Sequence, residues 1–550
     1  MRISKLVFFK KYAFVAVLFL AFILRFWNLG INPPSLYWDE VSQGFNSFSI
    51  LKTGFDEHHE FLPIARFQAF GDYKAPVYIY LDVVPILLFG QTEFAVRFPS
   101  AFFGALTVLL VYFLALEIFS EKKHKEAIAF FSSLFLAVSP WHIQLSRVAY
   151  EANIATFFTV LGLFLFFVAK RKRNFLFLLS SLSFVAAFYS FNAHRIFIPT
   201  LVILLLAVYA RELWKTRQKL IVSGVLALVL LLPFIFYLRT PESKLRFQEV
   251  NIFSDISVVE ESNRLNREDG NSYFSKVIHN RRVLYGLSYV SHYFDFFNPS
   301  YLFLKGDVNP RFSTQENGEL YPYILPLFIV GIYLVTRLDK KNRLFMIGWL
   351  LLAPVAAATA RETPHALRSE TFIPIYELFA GVGTVFLYGK IIKYKKIFVA
   401  SIAVSAFVLL YYLLDFLHAY YVHMPYKYSQ DWQYGYKQAV LKVESLKDNY
   451  DEIVFSPILG RAYIYVLWYG KYSPQTFWDK GKVMRDAFGF YNVDGFGKYR
   501  FISPLSYKGV PGRKVLFVGG AGEIPAGSNT IERINYLDGS PSFVVADNSK

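Results

Sequence analysis

Residues 12–40 read YAFVAVLFLAFILRFWNLGINPPSLYWDE. A largely apolar run fills 12–29 and gives way to Pro33-Pro34 and then to the adjacent acids Asp39 and Glu40. About 20 mainly apolar residues carry a helix through a bilayer, where only a helix or a closed barrel satisfies its own backbone. No signal-peptide cleavage pattern stands out after the run, so it is expected to be an uncleaved first transmembrane helix. Two carboxylates therefore emerge just past the membrane surface, in a proline-framed, aromatic setting.

Further apolar runs follow at 97–118, 127–141, 152–169, 175–190, 196–210, 219–237, 322–336, 344–360, 372–388 and 397–417. Another apolar segment, 76–90, is settled by charge. Basic clusters stand at Lys10-Lys11, Lys122 to Lys125, Lys170 to Arg173, Arg211 to Lys219, Arg337 to Arg343 and Lys390 to Lys396. If 76–90 lies along the outer interface, every cluster falls on one side; if it spans, the cluster at 122–125 moves to the side opposite the N-terminal one. The positive-inside bias thus favours about eleven spans, with the N-terminus inside and the C-terminus outside.

The expected fold class is a polytopic α-helical membrane protein with a small extracytoplasmic C-terminal α/β domain. Residues 1–417 form the transmembrane module, including a first outer loop at 30–96 with interfacial helices and a long outer loop at 238–321. Residues 418–550 form the outer domain, on strand-like runs at Glu452 to Phe455 and Val515 to Val518 and a helix-like stretch at about 434–447.

Composition agrees. Of 550 residues 55% are hydrophobic and 19% aromatic, which suits lipid-facing helices with interfacial belts. The net charge of +17 sits between apolar runs, so membrane orientation accounts for it and no nucleic-acid partner is expected. Cysteine is absent, which excludes disulfides and thiolate metal sites.

Six outer features could carry chemistry. Asp39, beside Glu40, could serve as a general base, or both acids could favour the dipole at the start of an amphipathic helix over 41–52. Lys74, in Gly71 to Pro76, could neutralise a lipid phosphate or simply snorkel at the interface. His58 and His59 lack spaced partners for a metal. Arg147 and Glu151 stand four residues apart, so on a helix they share one face and could form an ion pair. Arg361, His365 and Arg368 lie in an outward turn against the charge rule, where a phosphate or pyrophosphate head group is the natural partner and interface anchoring the alternative. His194-Arg195, in another outer turn, carries the same ambiguity. A divalent metal is conceivable, but the sequence offers no ligand set for one, and no other cofactor is implied.

Taken in order, these segments resemble the GT-C superfamily, and within it the protein O-mannosyltransferase and aminoarabinose-transferase branch. The resemblance rests on Trp38-Asp39-Glu40 after the first helix, then Lys74-Ala75-Pro76, then Phe94 to Ala101 opening a span. Ser139-Pro140, Ser146-Arg147 and Glu151 follow. It is good through about residue 200 and thin from there to 370. Where relatives show Lys/His-Pro-Pro this chain has Ala75, which removes one of the prolines that stiffen the turn.

The resemblance implies a glycosyltransferase that uses a polyprenyl-phosphate sugar donor and inverts the anomeric carbon. Its acceptor would be a protein hydroxyl, a glycan or a lipid. It implies Asp39 as catalytic base with Glu40 the adjacent family acid, Lys74, Arg368 and His365 offsetting charge on the leaving phosphate, and Arg147 with Glu151 shaping the cavity. The enzyme would be an integral protein of a bacterial-type plasma membrane, with its active site extracytoplasmic. A transporter or flippase of lipid-linked sugars is the competing class; transporters place their charges near the midplane, whereas these gather at outer helix ends.

Overall fold

The computed structural model describes residues 2–171, 173–240, 243, 251–485 and 491–549. The chain divides into two compact units. One gathers Met1–Arg25, Phe102–Ser146 and Glu151–Phe416; the other gathers Phe26–Ala101, Arg147–Tyr150 and Leu417–Lys550.

The first unit is built from apolar helices that carry most of the apolar runs named above; the run at 127–141 is split between two helices, and 76–90 lies in the second unit. Five helical stretches are long and apolar enough to cross a membrane, or six if the bent pair Lys125–Val138 and Pro140–Ser146 is one span; shorter apolar helices accompany them. The stretch His194–Tyr237 has 44 residues, about 66 Å at 1.5 Å each, twice a bilayer core. It is two helices, His194–Leu213 and Arg217–Tyr237, joined by a tight turn at Trp214–Thr216. Ser181 donates to the Ser223 carbonyl and Tyr189 to that of Leu230, each at 2.9 Å. The numbers rise together, so Arg217–Tyr237 runs in the same direction as Leu176–Ser190, with His194–Leu213 returning between them.

Charges gather at one end of this unit. Lys170 and Lys341 both bind Glu212, Arg171 binds Glu117 at 3.0 Å, and Asn342 donates to the Ile118 carbonyl at 3.1 Å. Lys170, Arg171, Glu212, Lys341 and Asn342 therefore meet at the end of this unit where Ile118 lies.

The helix Lys125–Val138 bends by 57° into Pro140–Ser146. Pro140 has no N–H to serve the Leu136 carbonyl, and the fully buried Arg25 supplies donors instead. It bonds Leu136 O at 3.2 Å, Ala137 O at 3.1 Å and His142 Nδ1 at 2.6 Å. Elsewhere Gly331 and Gly383 let Ile324–Val335 and Ile375–Ile391 touch backbone to backbone. A Cβ at either would fall 1.9 Å or 2.1 Å from the opposing Phe379 or Leu327 carbonyl oxygen.

In the second unit, helix Trp38–Thr53 packs against Pro76–Phe89 and against the wholly buried helix Ala462–Tyr469. Pro76–Phe89 has 14 residues, about 21 Å, short of the ~30 Å hydrocarbon core. It is preceded by an antiparallel hairpin, β1 (Phe67–Ala69) and β2 (Asp72–Lys74), with Phe67 opposite Lys74.

The C-terminal part is a seven-stranded mixed sheet in the order β4-β5-β6-β3-β7-β9-β8. Its strands are β3 (Glu452–Phe455), β4 (Lys482–Arg485), β5 (Tyr491–Phe496), β6 (Tyr499–Arg500), β7 (Val515–Gly519), β8 (Asn529–Asn535) and β9 (Pro541–Asp547). The central pair β3 and β7 runs parallel and is buried throughout, as its continuous apolar runs require. Helix Tyr436–Leu446 packs against β9 and against Ala462–Tyr469, with Tyr436 and Tyr465 rings stacked at 4.0 Å.

Candidate active site

Asp39 and Glu40 occupy the first turn of helix Trp38–Thr53, where acids complement the helix dipole, yet their surroundings differ. The Asp39 side chain keeps 35% of its surface exposed and accepts a 2.5 Å hydrogen bond from Lys74 Nζ. Lys74 is 9% exposed, held at the end of β2 immediately before the helix whose first residue is Pro76. The base candidate and one cation candidate are thus in direct contact.

Glu40 is fully buried. Its oxygens accept from Arg97 Nε at 2.9 Å and Nη2 at 3.1 Å, from the Ala149 N–H at 3.1 Å and from the Tyr37 N–H at 3.3 Å. Arg97, also without exposure, donates its remaining hydrogens to the carbonyls of Leu29, Pro33 and Ser35. One guanidinium therefore ties down three carbonyls of the segment that delivers Asp39. The middle of the same helix is fixed by Asn46, which exchanges hydrogen bonds with Glu57, itself bonded by Tyr463.

Arg147 lies in a turn between helices Pro140–Ser146 and Glu151–Arg171, so it does not share a helical face with Glu151. The shared helical face expected of them is absent because the helix stops at Ser146 and restarts at Glu151. Arg147 is instead fully buried, bonded to Tyr420 Oη at 3.2 Å and Asn32 O at 3.0 Å, with its guanidinium 5.3 Å and 5.2 Å from the ring centres of Tyr420 and Tyr421.

The remaining candidates belong to the first unit. Asp307 accepts from the N–H groups of Asn309 at 2.8 Å and Ala366 at 2.6 Å, and burial pushes its carboxyl up to about 6. His365 stands 3.7 Å from that carboxylate and packs on Phe312. Burial, with Arg368 and Arg311 nearby, takes its imidazole down to about 3, so at neutral pH it is uncharged and cannot act as a cation. Arg368 reaches the Glu362 carbonyl at 3.3 Å, and Arg361 staples the chain at 251–254 through the carbonyls of Asn251 and Ser254. His194 is buried between Phe191 and Phe197, and Arg195 covers the Phe234 ring at 4.6 Å.

His58 lies 3.2 Å from Glu57 and His59 stacks on Trp478. Among the described residues no group of three or more His, Asp or Glu could hold a metal. Arg25, Tyr420, Glu57 and Gln433, whose Oε1 accepts from the Trp38 N–H at 2.9 Å, escape a reading of sequence, since each works through a partner remote in the chain. Arg97 stood inside the Phe94 to Ala101 stretch with no sign of its task.

Among solved structures, ArnT from Cupriavidus metallidurans in the apo state aligns over 100% of this chain and 99% of its own, with TM-score 0.54 and 12% identity. Its undecaprenyl-phosphate-bound form aligns over 99% and 98%, with TM-score 0.51 and 13% identity. The Archaeoglobus fulgidus oligosaccharyltransferase tethered to an acceptor peptide aligns over 84% of this chain and 59% of that one, with TM-score 0.52 and 15% identity. This chain therefore spans about three fifths of that enzyme's length. The fold is that of the GT-C glycosyltransferases, an integral membrane architecture of apolar helices with a strand-containing C-terminal part. Residues 15–251 match the model of the dolichyl-phosphate-mannose-protein mannosyltransferase family. No curated protein sequence matches the chain significantly.

Proposed function

We propose that this chain transfers a sugar from a polyprenyl-phosphate carrier to an acceptor hydroxyl of a protein, glycan or lipid at the outer face of a bacterial-type plasma membrane. The contact between Asp39 and Lys74 carries the reading: a partly exposed carboxylate and a nearly buried ammonium, both on braced backbone. The acceptor oxygen attacks the anomeric carbon while the bond from that carbon to the carrier's phosphate oxygen breaks, which inverts the centre. The hydroxyl proton passes to Asp39, and the phosphate leaves on its lipid.

Lys74 neutralises charge building on the leaving oxygen. As it turns toward phosphate it releases a lone pair of Asp39 for the acceptor. Glu40 serves this chemistry through Arg97, as a positioning residue. Arg361 and Arg368 are proposed as further phosphate donors, His365 as a neutral N–H donor, and Arg147, Glu151, His194 and Arg195 as groups shaping the cavity. The family match over 15–251 and the undecaprenyl phosphate held by one ArnT structure support a lipid-phosphate donor.

The test is mass spectrometry of glycans, lipids and surface proteins from cells with and without the chain. A species lighter by one sugar residue in its absence, and again with Asp39→Asn, is the expected result. Identical profiles overturn the reading.

A further inference from the structure

The helix Arg281–Asp295 belongs to the segment 238–321 that the sequence reads as a long outer loop, yet it lies along a helix of the apolar first unit. Tyr293 donates to the Leu351 carbonyl at 2.8 Å and Tyr289 to that of Val355 at 3.1 Å. One number falls as the other rises by the same step, so the helix runs antiparallel to Lys340–Ala357, turn beside turn. That neighbour carries the apolar run 344–360. Leu351 lies six residues, about 9 Å, inside its end at Ala357. The last turns of Arg281–Asp295 are therefore level with a stretch suited to lipid.

The helix is held there from several sides. Tyr285 donates to the Asp255 carbonyl at 2.7 Å, His292 Nδ1 to that of Ala360 at 2.9 Å, and Asp295 accepts from Thr363 Oγ1 at 2.7 Å. Tyr285, Tyr289 and Tyr293 thus form one stripe that spends its hydroxyls on backbone carbonyls. A second stripe, Leu287, Val290 and Phe294 at i, i+3 and i+7, stays bare at 61%, 50% and 62% exposed. Leu351 beside it is 51% exposed, so the stripe continues an apolar surface of the neighbouring helix. Apolar surface gathered this way marks a contact with a partner or a membrane.

Charge decides between them. Asp255, Glu260, Glu261, Glu268 and Asp269 all precede residue 270, whereas from 271 to 294 the charged residues are Lys276, Arg281 and Arg282, each exposed. Tyr273 and Phe274, also exposed, stand just before them. Cations and aromatics thus mark one end of the helix, and Phe294 lies about 20 Å further along it. Lys and Arg reach lipid phosphates from apolar surroundings, and aromatic rings settle at the same level. A soluble partner could not follow the stripe down to Leu351. We propose that Arg281–Asp295 is seated in the lipid leaflet at the Ala357 end of the first unit. Leu287, Val290 and Phe294 lie among acyl chains, with Lys276, Arg281 and Arg282 at the phosphates.

The experiment uses the full chain in nanodiscs of phosphatidylcholine and phosphatidylglycerol. Cysteine is absent, so the single variants Leu287→Cys, Val290→Cys, Phe294→Cys and Glu260→Cys each take one nitroxide. Electron paramagnetic resonance then compares collisions with oxygen, which concentrates in acyl chains, and with a water-soluble nickel chelate. The oxygen-to-nickel ratio at Val290 and Phe294 should exceed that at Glu260 about tenfold or more, and rise from Leu287 to Phe294 as depth does. Every substituted position is exposed, so the labels do not disturb a packed core. Ratios at all three stripe positions within about twofold of Glu260 would place the stripe in water and overturn the proposal. Labels shielded from both reagents overturn it as well. Spin–spin broadening that dilution with unlabelled chain removes would then name a second copy as the occupant.

Discussion

Glu40 and Arg97, 57 positions apart, form a doubly bonded ion pair from which solvent is wholly excluded. Such a pair contributes little net stability, because desolvating both charges offsets their attraction. What it provides here is geometry. The guanidinium binds Leu29, Pro33 and Ser35 on one side and the residue next to Asp39 on the other.

Breaking this pair from one side is expected to be severe. Glu40→Gln leaves a buried cation uncompensated, a loss of about 3–5 kcal/mol. The thermal midpoint in detergent should fall clearly, and sugar transfer with it. The double variant Glu40→Leu/Arg97→Met should lose less stability than the two single losses summed, because no orphan charge remains. A wild-type midpoint for Glu40→Gln would remove the bracing role.

Asp39 and Lys74 should separate kinetically. Asp39→Asn is expected to lower kcat by about 10³ or more, in the range of lost acid–base catalysis, with the unfolding midpoint falling less than in Glu40→Gln because the side chain is partly exposed. Lys74→Ala should also raise the KM for the lipid-phosphate donor while leaving that of the acceptor alone. Turnover retained in Asp39→Asn would end its assignment as base.

The pH dependence of stability should carry the mark of Asp307. Its folded value, about 6, lies above the ordinary 3.8, so the fold favours the protonated form. That contribution is whole below pH 4 and is lost as pH climbs through 6, about 3 kcal/mol at 1.36 kcal/mol per unit. Asp307→Asn removes the loss. The midpoint of Asp307→Asn minus that of wild type should therefore rise from pH 4 to pH 7. A flat difference would contradict the buried carboxyl. His365, pulled down to about 3, destabilises with the opposite sign as pH falls, and subtracting wild type largely cancels it.

The helical part of this fold was legible because lipid imposes its own length and polarity on each segment, as in the run at 12–29. The basic ends were legible for the same reason: Lys170 and Lys341 do meet at Glu212. The strands Glu452–Phe455 and Val515–Gly519 announced themselves as short apolar runs. Asp39 could be picked out by its place after the first span, and Lys74 by its place just before the apolar run that begins at Pro76. The partners could not. Arg147 finds Tyr420 across 273 positions, and no periodicity encodes a contact made by tertiary packing. The helix break at Ser146 was hidden for a related reason: Val148, Ala149 and Tyr150 fit a helix by propensity, and only the buried demands of Arg147 and the Ala149 N–H draw them out of one.

Gly44 gives the sharpest test of how tightly the Asp39 helix is seated. A Cβ there would stand 2.6 Å from Val96 Cγ2 and 2.9 Å from the Trp468 ring, and both neighbours are fully buried or nearly so. Alanine is the better helix former by about 1 kcal/mol, so on propensity alone Gly44→Ala would stabilise. Overpacking opposes it at about 1–3 kcal/mol, and it should prevail because neither the β-branched Val96 nor the wedged indole can withdraw. The midpoint is expected to fall, with kcat falling more than donor KM rises, since the displaced helix carries the carboxylate away from its working position. Adding Val96→Ala should restore part of both, whereas a stabilised Gly44→Ala protein with full activity would show that the helix has room to move.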